Sequence, residues 1–293
     1  MSFNGKICVI TGANSGLGFA VSKEIAKRGA HTILVCRNAE SGERAVHEII
    51  KEMPVASTDL MICDLASMHS IQSFMEEFKS RYSKLDLLYN NAAVMKRKRT
   101  LTEDGFEMMF QVNYLAAFIL MHSFLELLKQ GSSPQILNNG RPEDDLRLDF
   151  EDLQFSKKYN MYNSFFRTKL CLLLATLEFS RRELSHGITV TMADPGPFKS
   201  NLVRDVPWFG WIKNLTSAKV EDAVDNILYA VTMSEREPKT GRLFEKRQEK
   251  LPPSYWQDRE VGQHLWSITE RLLEDNEIAD QMVEEAGQLS LAG

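Results

Sequence analysis

The sequence predicts an α/β fold built on a single, doubly wound parallel sheet with helices on both faces. Two observations predict it. Short apolar runs alternate with amphipathic helical stretches along the chain, and a glycine-rich turn joins the first run to the first helix. Parallel strands require crossover connections, and helical crossovers cover both faces of a sheet, so the alternation specifies this architecture. With 293 residues and 43% apolar content the chain can bury one large core, and no linker, low-complexity stretch or repeat divides it.

The elements follow in order. Residues 6–11 form the first apolar run, and 15–27 a helix with Leu17, Ala20, Val21, Ile25 and Ala26 on one face. A strand over 32–36 precedes a helix over 39–52, a third strand over 60–63 precedes a helix over 68–82, and a fourth over 85–89 leads to a long helix over 105–128. A short fifth strand at 136–137, a helix over 165–184 and a sixth strand at 189–192 complete the pattern. Residues 1–273 therefore read as one domain, and 274–293, acidic and rich in small residues, as an exposed helix with a frayed tail.

Composition excludes several functions. A net charge of -5 with both signs interspersed gives no general pull toward nucleic acid or an anionic membrane. Cys8, Cys36, Cys63 and Cys171 lie far apart inside apolar runs, without Cys-x-x-Cys spacing or a histidine cluster, so they read as reduced, buried thiols rather than disulfides or a metal site. The first residues pass straight into a strand with no leader pattern, and the longest strongly apolar stretch, 114–121, falls far short of the ~20 residues that cross a bilayer. A soluble, cytoplasmic protein with no transmembrane segment is the expectation; whether it forms an oligomer stays open. The basic run Lys96-Arg97-Lys98-Arg99 reads as a solvated loop rather than an import signal.

The turn Thr11-Gly12-Ala13-Asn14-Ser15-Gly16-Leu17-Gly18 closes the first strand and opens the first helix. Gly12 suits a tight turn, Gly16 a close backbone approach to phosphate and Gly18 close helix–strand packing, while the helix N-terminus offers N–H groups to a pyrophosphate. Gly12, Asn14, Ser15, Gly16, Leu17 and Gly18 are thus the candidate dinucleotide-binding residues of a Rossmann-type fold. The second strand ends in Val35-Cys36-Arg37-Asn38, with an arginine where an NAD site usually places an acid. Arg37 can pair with a 2′-phosphate, which favours NADP(H) over NAD; the alternative is a surface arginine in an NAD protein.

These motifs resemble the short-chain dehydrogenase/reductase family, specifically its retinol-dehydrogenase-like branch, over residues 4–273. Asp64-Leu65 looks like the family's adenine-contacting pair, and Asn90-Asn91-Ala92-Ala93 like its Asn-Asn-Ala-Gly motif, which puts Asn91 and Ala92 at the nucleotide. Residues 102–107, 110–115 and 265–272 are similar to helices of that branch. Asp194-Pro195-Gly196-Pro197-Phe198-Lys199-Ser200 resembles the segment that holds the nicotinamide amide, so the resemblance places Pro195, Gly196, Phe198 and Ser200 there. It also implies that Lys169 bonds the nicotinamide ribose. Asn113 falls on the family's catalytic asparagine, whose role is to hold a water near the lysine; the other reading of Asn113 is an amide satisfied within a helix bend.

The resemblance breaks at the reaction centre. The family's acid is a tyrosine four residues before the lysine, since residues i and i+4 share a helix face; here that residue is Phe165, in Phe165-Phe166-Arg167-Thr168-Lys169. The family's serine, at the end of the fifth strand, is also missing: the chain reads Gln135-Ile136-Leu137-Asn138-Asn139-Gly140-Arg141-Pro142, which leaves Asn139 or Gly140 nearest its place. Loss of an acid costs about 10²–10⁴ in rate and loss of an oxyanion donor about 3–4 kcal/mol. The expectation is an NADP(H)-binding protein with little or no classical carbonyl-reductase activity. The alternative is a divergent oxidoreductase acting on an apolar carbonyl or alcohol, retinoid-, steroid- or lipid-like, with water or Tyr162 as proton source. Tyr162 and Tyr159 lie seven and ten residues before Lys169, about 10 Å or more along a regular helix. Arg141 and Arg167 are poor acids, whereas Asn138 or Asn139 could donate to a carbonyl. Trp208, Phe209 and Trp211 fall where the family keeps a mobile lid, which suits an apolar ligand or, equally, ordinary packing.

Overall fold

The computed structural model describes residues 2–196, 219–237 and 239–276. Among them, eight strands form one sheet: β1 (Ile7–Thr11), β2 (His31–Cys36), β3 (Ser57–Ile62), β4 (Leu87–Asn90), β5 (Gln135–Asn139), β6 (Thr189–Asp194), β7 (Arg242–Glu245) and β8 (Gln248–Lys250). Their order is β3-β2-β1-β4-β5-β6-β7-β8, parallel except for the antiparallel β7–β8 edge. The winding reverses between β1 and β4, which opens a crevice at the carboxyl ends of those two strands, the standard ligand position in such sheets.

Helices α1 (Gly16–Lys27), α2 (Ala39–Glu52) and α3 (Met68–Arg81) follow the first three strands as the periodicity predicts. Beyond β4, a short α4 (Met108–Phe110) passes through a π turn (Gln111–Leu115) into α5 (Ala116–Ser123) and α6 (Leu125–Lys129). A long α7 (Met161–Arg182) then leads to β6, and α8 (Val220–Arg236), α9 (Ser254–Gln257) and α10 (Arg259–Glu274) complete the described helices. Two apolar cores result, one on each face of the sheet. The first packs β-strand residues such as Val9 and Ile136 against α3, α5, α7 and α10, and the second packs Ile10 and Leu137 against α1, α2 and α8. No helix among the described residues is long and apolar enough to cross a membrane. The four cysteines are buried and free, and burial pushes the Cys8 and Cys171 thiols up.

Several boundaries differ from the sequence reading, each for a physical reason. The third strand starts at Ser57, because an edge strand tolerates the polar Ser57-Thr58-Asp59. The fifth extends through Asn138 and Asn139, both buried. The helix expected at 165 begins at Met161, where the Asn160 side chain caps the N–H groups of Tyr162 and Asn163. The loop between β5 and α7 is pinned by the C-terminal helices: Trp256 Nε1 donates to the Leu146 carbonyl (3.1 Å), and the Leu148 N–H donates to the Tyr255 hydroxyl (3.3 Å). Past Asn276 the expected acidic tail lies outside the described residues.

Asp86 ties the opposite end of the sheet together. Its buried carboxylate accepts from Ile7 N (2.9 Å), Ser132 N (2.8 Å) and Ser132 Oγ (2.9 Å), and Lys84 Nζ stands 3.3 Å away. Burial alone would raise its pKa, but these donors and the lysine hold it below the usual carboxylate range. Asp86→Ala leaves the donors unsatisfied and is expected to cost about 2–4 kcal/mol in a denaturant titration at neutral pH. Because the folded pKa is depressed, that difference is present above the unfolded carboxylate value and shrinks as pH falls through the folded one.

Candidate active site

The glycine turn is fastened to the end of β4. Thr11 Oγ1 accepts from the N–H groups of Asn91 and Ala92, each at 3.0 Å, and Asn91 Nδ2 donates to the Thr11 carbonyl (2.8 Å). Gly12 has φ +65, and a Cβ on it would stand 3.0 Å from Ala92 Cα; a Cβ on Gly18 would collide with the Asn91 amide and the Gly12 carbonyl. Gly16 differs: φ is +59, yet a Cβ there would meet nothing within 4 Å. Space is therefore open at the mouth of α1, where extended Ser15 supplies no side-chain cap. Such an uncapped N-terminus fits an anion. Leu17 is buried and offers only its backbone to this mouth, and Asn14 is engaged with Ser41 Oγ at 2.9 Å.

The parallel pairing of Cys36 with Ile62 brings the two expected adenosine-end residues together. Arg37 Nε lies 3.9 Å from Asp64 Oδ2, and the Arg37 side chain is 72% exposed, so its guanidinium is not consumed by the pair. Asp64 Oδ1 accepts from Ala66 N (3.0 Å), and Leu65 is buried beside it.

At the other end of the crevice, Lys169 is 3% exposed. Its Nζ donates to the Asn139 carbonyl (2.8 Å) and stands 5.8 Å from the centre of the Phe165 ring, one helical turn earlier on α7. Burial lowers the ammonium from 10.5 to about 8. Gly140, with φ +124, makes the approach possible: a Cβ there would stand 2.9 Å from Lys169 Cδ and 3.0 Å from Cε. Asn139 Nδ2 donates to Asn91 Oδ1 (3.2 Å), whereas its buried Oδ1 has no partner among the described residues. An orphaned buried acceptor of this kind is a place for a water or a ligand donor.

Other expected residues are held elsewhere. Asn113 sits in the π turn, accepts from Val94 N (2.7 Å) and donates to the Val94 carbonyl (3.0 Å) and Thr168 Oγ1 (3.2 Å), as an amide satisfied within a helix bend. Asn138 bonds Asn90 (2.9 Å) and Thr176 (2.8 Å) inside the core. The Tyr159 hydroxyl donates to the Lys96 carbonyl (2.6 Å), and Tyr162 lies in the first turn of α7, seven residues along the helix from Lys169. Arg141 pairs with Asp144 (2.6 Å) and Glu245 (3.5 Å). After β6, Gly196 N donates to Asp194 Oδ1 (2.9 Å) and Asn226 Nδ2 to the Pro195 carbonyl (3.3 Å). Phe198, Ser200, Trp208, Phe209 and Trp211 lie outside the described residues. Sequence reasoning missed Thr11 as the clamp on the β4 end and Gly140 as the passage for Lys169. Only the position of each, beside a motif already noticed, signalled them.

Residues 6–140 match the model of the short chain dehydrogenase family. Retinol dehydrogenase 13 of Mus musculus is 34% identical over 284 residues, which cover 92% of this chain and 84% of that protein. WW domain-containing oxidoreductase of Gallus gallus is 34% identical over 286 residues, covering 93% and 69%. Among solved structures, an uncharacterized protein from Mycobacterium Paratuberculosis superposes with a TM-score of 0.74 at 26% identity, covering 92% of this chain and 94% of that one. The Pseudomonas aeruginosa RhlG/NADP complex has the same fold (TM-score 0.67, 18% identity, 83% and 95% covered).

The buried ammonium generates a pH signature. The unfolded chain holds the Lys169 proton up to about 10.5 and the folded one only up to about 8, so unfolding takes up a proton in that window and stability rises with pH across it. Lys169→Met is expected to remove this rise and to stabilise the ligand-free protein at pH 7 by up to about 3 kcal/mol. Melting curves of both proteins at pH 7 and in the alkaline window read the difference.

Proposed function

The chain belongs to the short-chain dehydrogenase/reductase family, in its retinol-dehydrogenase-like branch, and from that membership we propose that it binds NADP(H) with little or no ordinary carbonyl-reductase activity. The observation that supports the reading is the pair on α7: the Phe165 ring lies 5.8 Å from the buried Lys169 ammonium and four residues before it, the spacing at which the resemblance puts a proton-donating tyrosine. Phenylalanine has no proton to give. The serine's region holds Asn139 and Gly140, and Gly140 is filled against by the lysine side chain itself.

The residues present fit the nucleotide. The open space at Gly16 suits the pyrophosphate, exposed Arg37 a 2′-phosphate, Asp64 and Leu65 the adenosine, and Asn91, Ala92 and Lys169 the nicotinamide half. When bound, the nucleotide would supply a hydride. The Lys169 ammonium would gain ribose hydroxyls as partners for N–H groups that now have one carbonyl. Pro195 and Gly196 follow β6 and would close the nicotinamide end with Phe198 and Ser200. Solved proteins of the same fold hold NADP, which lends support to the phosphorylated cofactor, and Arg37 is the residue of this chain that favours it. An apolar ligand under Trp208, Phe209 and Trp211, and a cytoplasmic location, belong to the same proposal.

One observation favours the second reading, a divergent oxidoreductase of apolar carbonyls. An ammonium brought to about 8 by burial is an acid suited to neutral pH, and it would join water or Tyr162 as a source of the proton.

Titration calorimetry is expected to give a micromolar Kd for NADPH and weaker binding of NADH, with Arg37→Ala narrowing the gap. At a hundredfold excess over Kd, NADPH is expected to add about 2.7 kcal/mol of stability. Retinal, steroid and aldehyde panels are expected to give no NADPH oxidation; robust oxidation abolished by Lys169→Ala would overturn the first reading in favour of the second.

A further inference from the structure

The loop that leaves β4 at the carboxyl end of the sheet carries the basic run that the nucleotide does not use. We propose that Arg97 and Lys98 form an anion-binding rim beside an apolar wall, so that the site takes an amphipathic ligand, an apolar body with an anionic head. The proposal rests on the carboxyl end of the sheet being the ligand end, and names the ligand class.

The wall is a third apolar cluster, separate from the two cores. Met95, Met109 and Phe165 are buried in it, and Met161 and Phe166 are partly exposed alongside. The loop is held in a fixed frame against that wall. Val94 bonds Asn113 through both backbone groups, Lys96 N donates to Met109 Sδ (3.4 Å), the Lys96 carbonyl accepts from Tyr159, and Arg99 Nε donates to the Gln154 carbonyl (3.0 Å). Between these anchors Arg97 and Lys98 are exposed, and no described carboxylate pairs with either. The acids next along the chain do not neutralise them: Asp104 is engaged by Met68 N (2.9 Å) and Gln111 (2.5 Å), and Glu107 is buried behind the Phe110 N–H.

Arg97 and Lys98 follow Met95 by two and three residues, at most about 7 and 11 Å of chain, so both stand close to the cluster. The apolar side chains of the cluster that reach toward solvent are Met161 and Phe166. Two unpaired cations on a fixed frame beside apolar side chains complement a molecule with both characters. A neutral apolar ligand would leave the cations unused, and a small anion would leave the wall unused.

Calorimetry on the NADPH-bound protein with decanoate, decanol and acetate tests this. The expected result is decanoate binding about tenfold or more tighter than decanol, with acetate undetected. That preference should vanish in about 0.5 M salt and in the Arg97→Gln, Lys98→Gln double variant, whose NADPH affinity and melting temperature stay unchanged. Equal or better binding of decanol, a preference that survives the double substitution, or no binding of either long-chain probe would overturn the proposal. NADPH affinity is read separately, so failure of the nucleotide reading is distinguishable.

Discussion

A charged lysine held out of water constrains the whole reaction end of this molecule. The Lys169 ammonium has one carbonyl partner, at Asn139, and an aromatic ring above it. Burying an ammonium is costly unless hydrogen bonds replace its hydration, and a ring face returns only part of that. The sequence around the lysine is arranged to permit the burial. Gly140 has no side chain to block the methylene stem, β5 presents its carbonyl at the right height, and Thr168 and Asn113 fix the helix turn beside it. Such an arrangement is unfavourable for stability alone and makes sense as preparation for a ligand rich in hydroxyls.

At the phosphate end, by contrast, most of the motif is also required by packing. Gly12 and Gly18 are excluded from bearing side chains by Ala92, Asn91 and the turn's own carbonyl, and Thr11 clamps the β4 end. A chain that had abandoned nucleotide would keep those residues to keep its sheet. Gly16 separates the two demands: no neighbouring atom crowds it, and the space in front of the α1 N-terminus is what an incoming phosphate needs. Crowding thus accounts for Gly12 and Gly18, the left-handed φ of +59 accounts for glycine at Gly16, and the exposed Arg37 is a residue for which packing gives no reason.

The legible part of the fold was the part written in periodicity. Runs such as Ile7–Thr11 and faces such as Leu17, Val21 and Ile25 follow from alternation alone, whereas the strand order, and with it the switch point, came from the structure. The short antiparallel β7–β8 edge is polar and exposed at β8, and carries no such signal. Asn138 and Asn139 fell outside the strand read at 136–137, whose signal is apolar; their burial depends on partners at Asn90, Thr176 and Asn91, which are distant in sequence. A helix bend was one of the two readings of Asn113, and the Val94 backbone groups it binds explain the π turn there. At the site, the i, i+4 relation of Phe165 and Lys169 was readable from spacing, whereas the role of Gly140 needed the path of the lysine in space.

The most direct measurement is a crystal structure of the NADPH complex, read for every polar atom near the Lys169 Nζ and the hydride-bearing carbon of the nicotinamide. Ribose hydroxyls are expected within about 3 Å of Nζ, with the Phe165 ring where a phenol would act and no side-chain hydroxyl near both atoms. A tyrosine, serine or threonine hydroxyl within hydrogen-bond reach of both Nζ and a substrate oxygen placed at that carbon would contradict this expectation.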